Sequence, residues 1–340
     1  MTLKITLKLC KIFENSETES FSVMATAKIH FQPMFDEVVA SERLEKALRN
    51  KEKLKVLEIL VAVNNTQRQM LRTPYKTRYG KDLEEEIKKV FSGEFEDFLV
   101  ALLQTPTKLD VTELHRAVKG LGTNEKNLIE ILTTRNNDEI EAAKNTFFMT
   151  YQKSLEDAIS ADTSGDFRRL LIVILQAKRD ESGTVNALHV ATHASQILKS
   201  FDKKSGVEKF DAFKIFATAS GAHVQKVIEE VERQSGKEFG KLADKELSGD
   251  FKNLVLALIE TSKNRPRFLA NAIHTATKGM GTRDKDLIRI LVSRSEIDLV
   301  LIEYEFQVLF GKPLTQLIKE ECKAEYRDGL TMLVKGNSRP

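Results

Sequence analysis

Residues 119–132 read KGLGTNEKNLIEIL, and residues 278–291 read KGMGTRDKDLIRIL. In both, two glycines one residue apart lead into an apolar helical pattern. Leu128, Ile129, Ile131 and Leu132 share one helical face, and Leu287, Ile288, Ile290 and Leu291 repeat it. Thr123 and Thr282 are the expected N-caps, with Glu125 and Asp284 just inside, where the helix dipole favours an acid. Taken alone, each glycine pair reads as a helix–helix turn, glycine supplying a positive φ that other residues resist. A dinucleotide fingerprint needs a preceding strand and a third glycine at fixed spacing. The residues before the second loop, AIHTATK (272–278), read instead as helix. A phosphate-binding loop needs G-x-x-x-x-G-K-[ST], which the chain lacks.

A second helix start recurs through the chain. Ser92-Gly93-Glu94-Phe95, Ser164-Gly165-Asp166-Phe167 and Ser248-Gly249-Asp250-Phe251 each lead into a nearly continuous apolar run, and Lys323-Ala324-Glu325-Tyr326 does so near the end. From Gly93 to Gly165, Gly249 and Ala324 the steps are 72, 84 and 75 residues. The serine is the expected cap, and the apolar run predicts a helix buried on most sides. Stretches 138–151 and 222–234 also read as helices, and strand-like alternation is scarce. Self-similarity at this period predicts an all-α chain of four units, roughly 35–106, 107–186, 187–263 and 265–340. Residues 178–194 are the longest predicted connector and the expected place for a division into halves. Residues 1–33 lie outside the repeats as a candidate flexible tail, with Met24 as an alternative start.

Bulk properties narrow the function. In 340 residues, 53 basic and 50 acidic side chains leave a net charge of +3. That balance lacks the concentrated basic face that nucleic-acid binding needs. Cys10 and Cys322 are too few for a disulfide framework and fit a reducing compartment. No apolar run approaches about 18 residues, and Lys4, Lys8 and Lys11 interrupt the apolar start as no secretory signal would. The expectation is a cytoplasmic protein. No nucleophile–base constellation or cofactor fingerprint appears, so no enzyme is expected.

The glycine loops also keep a fixed distance to an acid. Asp162 lies 40 residues after Gly122, Glu321 lies 40 after Gly281, and Glu246 lies 40 after Gly206 in the looser loop DKKSGVE. If the units share a fold, this brings an acid to each loop. Four ordered units, with K-G-x-G-T and an Ile/Leu-rich helix in the second and fourth and an acid before the S-G-D/E-F position in the last three, resemble the annexin family, over residues 35–340. TTRNN (133–137), YKTRYGKDLEEEIKKVFSGEFE (75–96) and VSRS (292–295) add to the resemblance.

That resemblance implies five helices per repeat, four repeats forming a curved disc, and Ca²⁺ sites on its convex face. It implies a site of loop carbonyls plus one distant carboxylate, completed by water or a phospholipid head group. In repeat two these are Val118, Gly120, Gly122 and Asp162. In repeat four they are Thr277, Gly279, Gly281 and Glu321, although Ala324 replaces the usual glycine. In repeat three Lys204, Gly206 and Glu246 remain, but Phe201 and Val207 depart from the pattern. Repeat one has lost both halves: ALRNKEKLKVLEIL (47–60) has no glycine, and Val90 stands at the acid's position. Lys51, Lys53 and Lys55 there read as a solvated helix start, with direct lipid contact as the alternative.

Ca²⁺ takes six to eight hard oxygen ligands in flexible geometry, and glycine lets successive carbonyls turn to one point. A site with one carboxylate is weak, on the order of 10⁻⁴–10⁻³ M without lipid by analogy with sparsely charged sites. A lipid phosphate that completes the shell raises Ca²⁺ affinity and is itself bound more tightly by the same factor. The implied function is calcium-dependent binding to acidic phospholipid of the phosphatidylserine type, as a peripheral membrane scaffold. The alternative is a calcium-independent helical scaffold for proteins. His189 and His193 stand four apart, but no glutamate base follows His189 and no third zinc ligand is evident. The segment KITLKLCKIF (4–13) is a candidate contact for a membrane or a protein partner.

Overall fold

The computed structural model describes residues 26–120, 122–279 and 281–337. The tail segment 4–13, Cys10 and Met24 lie outside the described residues. Among those described, every regular element is an α-helix. Repeat two shows the plan in full: Pro106–Val118, Glu125–Thr134, Asn137–Tyr151, Leu155–Asp162 and Gly165–Leu175. The other repeats follow the same order, with the third helix of repeat one interrupted at Leu71 and the second of repeat three at Lys214. Gly249–Thr277 runs through a break at Asn264, whose φ of −159° and ψ of 92° are extended. The residue two places on is Pro266, which has no N–H for a helical ladder.

The apolar faces read from the sequence are the ones buried. Leu128, Ile129, Ile131 and Leu132 are buried, as are Leu287, Ile288, Ile290 and Leu291. The arginines of TTRNN and VSRS are buried with them. Arg135 makes a two-pronged pair with Asp110 at 2.6 and 2.7 Å, and Arg294 pairs with Asp298 at 2.7 Å through both prongs.

The expected division into halves falls elsewhere. One compact unit joins the chain up to Pro106 with everything from Leu269 onward, and the other is Thr107–Phe268. Residues 178–194 therefore lie inside a unit. The connector is also shorter than expected, because helix Ala187–Ser200 begins at its midpoint and Ala194 and Ile197 bury in the core.

In the first unit, helices of repeats one and four share a core around Phe98, Leu57, Leu330 and Leu333. Gly329 occupies the place that Phe98 holds in repeat one. A Cβ there would stand 2.6 Å from the Phe98 ring and 2.8 Å from Leu57. The missing side chain admits the partner's ring. In the second unit, Phe213 gathers Phe201, Phe216, Phe239 and Phe251 around it at centroid distances of 5.6–6.4 Å.

The described end of the expected tail is not loose. The N–H groups of Lys28 and Ile29 donate to Ser295 O at 2.7 and 3.0 Å. His30 N–H reaches Asn337 Oδ1 at 2.8 Å, and Gln32 exchanges two hydrogen bonds with Gln67. Buried Ile29 completes the seam. Backbone donors with buried acceptors hold an extended segment that has no periodicity of its own.

Candidate functional site

The three acids sit at equivalent points. Asp162, Glu246 and Glu321 are each the last residue of the fourth helix of their repeats, Leu155–Asp162, Phe239–Glu246 and Leu314–Glu321. In repeat one that place, the end of Leu83–Val90, belongs to Val90. A carboxylate at a helix C-terminus faces the negative end of the dipole and the last free carbonyls. Such a position is unfavourable for the acid by itself and attractive to a cation.

The glycine loops have matched geometry. Asn124 N–H donates to Ala117 O at 2.8 Å, and Arg283 N–H donates to Ala276 O at 2.8 Å, closing the two loops alike. Gly120 and Gly122 have φ of 124° and 91°, and Gly279 and Gly281 have 117° and 89°. These values belong to glycine. A Cβ at any of the four would meet nothing within 4 Å, so backbone conformation, and not packing, calls for glycine. All four are exposed, while Val118 and Thr277 behind them are buried. Gly206, in the third loop, has φ of 72°.

Loop and acid come together in repeats two and four. The Thr123 hydroxyl donates to the carbonyl of Asp162 at 2.7 Å. Thr123 is thus not the helix cap that its sequence position suggests. The cap is Asn124, whose side chain accepts from Asn127 N–H, and Arg283 rather than Thr282 precedes the equivalent helix. Likewise Ser92 and Ser164 precede their helices without a capping hydrogen bond from the side chain, because the next residue is a left-handed glycine. In repeat four, Gly281 and Thr282 line a cavity of about 550 Å³ together with Glu321 and Ala324. In repeat three the Lys209 ammonium donates to the Glu246 carbonyl, and Lys245 Nζ lies 3.3 Å from the Glu246 carboxylate. Lys204 sits in the exposed loop, its N–H donating to Asp202 at 2.9 Å. Positive charge thus already attends the third acid.

In repeat one Lys51 and Lys55 are exposed, as a solvated helix start predicts, and Lys53 departs from it. Lys53 Nζ is 3.2 Å from Glu325 and lies 5.3 Å from the Phe95 ring centroid, and Lys55 pairs with Glu52 at 2.9 Å. The cavity beside Glu321 also holds Glu94, Asp284 and Tyr326, which spacing did not reveal because they come from both ends of the chain. Burial first, with Glu94 and Asp97 adding, holds the Asp284 carboxyl above its usual range. Buried Cys322 has its thiol pushed up to about 12, chiefly by burial, and is packing material. His193 meets a residue that the sequence did not pair with it: its Nδ1 lies 3.0 Å from Nε2 of His223, while His189 stands farther off. No cluster of three or more His, Cys, Asp or Glu side chains suited to a metal occurs among the described residues.

The loop–acid oxygens fit Ca²⁺ better than a softer ion. The residues expected from the sequence would supply main-chain carbonyls and one carboxylate per repeat, the hard donor set that Ca²⁺ takes. The annexin family model matches residues 39–102, 109–174, 193–258 and 268–333. The chain belongs to the annexin family. Annexin A5 of Gallus gallus is 37% identical over 309 residues, covering 90% of this chain and 96% of the relative. The structure of annexin III superposes with a TM-score of 0.87 at 36% identity, covering 92% of this chain and 98% of the other. Annexin (Sm)1, solved calcium-bound, matches with a TM-score of 0.79 at 26% identity, over 92% and 94% of the two chains. Annexins are known for calcium-dependent phospholipid binding and are generally membrane-binding scaffolds rather than enzymes. Among the described residues no helix is long and apolar enough to cross a membrane.

Proposed function

We propose that this annexin binds acidic phospholipid of the phosphatidylserine type through Ca²⁺ bridges, at the cytosolic face of membranes. Val118, Gly120, Gly122 and Asp162 would hold one ion. Thr277, Gly279, Gly281 and Glu321 would hold a second, and Lys204, Gly206 and Glu246 a weaker third. The observation that carries the reading is the Thr123–Asp162 hydrogen bond, which ties a left-handed glycine loop to the acid 40 residues away. When bound, Ca²⁺ supplies a positive bridge whose open positions accept a lipid phosphate. The chain's own part is to hold carbonyls and carboxylate in place and to leave one side of the loop exposed. Calcium-bound annexin (Sm)1 supports the choice of ion.

The test is sedimentation with phosphatidylserine liposomes in calcium or in chelator. Protein should pellet only with calcium. Pelleting that ignores calcium would sink the proposal and favour the calcium-independent scaffold. Asp162→Asn and Glu321→Gln should each move the calcium midpoint upward severalfold, since each removes the one charged ligand of its site. An unmoved midpoint would reject that residue's assignment.

A further inference from the structure

The second unit contains a polar cavity lined by none of the proposed loop–acid ligands. Its volume is about 270 Å³, below the range of about 300–1,000 Å³ typical for drug-sized ligands. Arg135, Arg179 and Arg265 all line it. Arg135 is already matched by Asp110. Arg179 is not. Its Nε and Nη2 are shielded from solvent and have no hydrogen-bond partner among the described residues. Burial, then the nearby Arg265 charge, pushes the Arg179 guanidinium below its usual range, with Glu181 opposing. A buried donor left unmade costs more than the bond would return, and more still for a charged group.

The neighbouring acids are engaged elsewhere. Glu181 accepts from Asn137 N–H at 2.9 Å, and Asp180 accepts from Ser182 N–H at 2.9 Å. The backbone of Arg179 is itself clamped, donating to Asn137 Oδ1 and accepting from Asn137 Nδ2 at 3.1 and 2.8 Å. The Arg179 backbone is therefore held where its side chain reaches the cavity wall. Gly221, the first residue of helix Gly221–Ser235, is part of the wall, so the positive end of a long helix borders the same space.

We propose that this cavity binds a small phosphoryl-type oxyanion, with Arg179 as its principal ligand and Arg265 supplying a second positive charge. A guanidinium presents a planar fork of donors that matches phosphate oxygens, and such charge-assisted bonds are the strong ones. The anion relieves the two unmade donors and the repulsion between the arginines together. The proposal is independent of calcium.

The test uses the full chain with chelator present, titrated calorimetrically with inorganic phosphate against chloride at matched ionic strength. Saturable binding is expected, weakened about tenfold or more in Arg179→Met and less in Arg179→Lys, on the strength of charged hydrogen bonds. Phosphate should also raise the melting temperature of the wild type but not of Arg179→Met, since a ligand stabilises only the state that binds it. Without phosphate the methionine variant should melt no lower than wild type, because it removes two buried donors that have no partner. No saturable heat, or equal binding by Arg179→Met, would overturn the proposal. Glycerophosphate binding in the same assay supports a phosphoryl site open to head groups. Pelleting with phosphatidate vesicles under chelator that persists in Arg179→Met and resists phosphate competition overturns it, by placing phosphoryl recognition elsewhere.

Discussion

Ala324 shows how one methyl group can be out of place. Gly93, Gly165 and Gly249 at the equivalent positions have φ of 69°, 58° and 59°, and Ala324 is held at 47°. The three glycines have open space around them, so the demand is on the backbone alone. An L-residue in that region costs about 1–2 kcal/mol. Ala324→Gly should therefore stabilise the protein by about 1 kcal/mol, read as a rise in denaturant midpoint at constant slope. A lower midpoint would mean that the methyl group has packing value that the geometry does not show. Thr123 makes the second residue-scale case. Removing its hydroxyl in Thr123→Val unties the loop from Asp162 while keeping the shape. The expected result is a higher calcium midpoint in liposome sedimentation with little change in melting temperature. If the midpoint stays where it is, the hydroxyl does not position the site.

Among the elements, the packing of helix Ala187–Ser200 against helix Gly221–Ser235 carries a pH dependence. His223 Nδ1 accepts from Asn186 N–H at 3.2 Å, so its proton sits on Nε2 and points to His193 Nδ1 at 3.0 Å. Both rings are thus bound in neutral form, and protonating either one breaks a hydrogen bond. Burial is the main cause that holds both below their ordinary value of 6.5. The sign follows from linkage: below about pH 6.5 the unfolded chain takes up protons that the folded chain refuses, so stability falls as pH falls. Thermal midpoints should be level above about pH 7 and decline toward pH 5, and the decline should be shallower in His193→Gln. Equal slopes in the two proteins would acquit the pair.

At the scale of the whole molecule, the proposed sites are distributed over both compact units. Glu321 and its loop belong to the unit that joins the chain's two ends, and Asp162 and Glu246 to the unit between. Weak bridges on one chain multiply when they share a membrane. The Asp162→Asn, Glu321→Gln double variant should therefore shift the calcium midpoint by roughly the product of the single shifts. A double shift no larger than the greater single one would mean that only one site bears on lipid binding.

Much of this was legible in order along the chain. The period, the apolar faces, the acid 40 residues after each glycine loop and the joint loss of loop and acid in repeat one are all local or fixed-spacing signals. They survive because helix periodicity and left-handed glycine are properties of short segments. Contacts between distant segments were not legible, because no spacing encodes them. Thr123 reads as a cap until its partner at Asp162 is seen. Lys53 reads as solvated until Glu325 arrives from 272 residues away. His223 and Arg179 have no motif at all. The sequence by itself determined a four-fold helical repeat and which repeats kept a loop and an acid. Only the tertiary structure decided that the first repeat joins the last, that residues 26–32 are held, and which buried donors lack a partner. Those outcomes depend on desolvation and packing, which exist only once the segments meet.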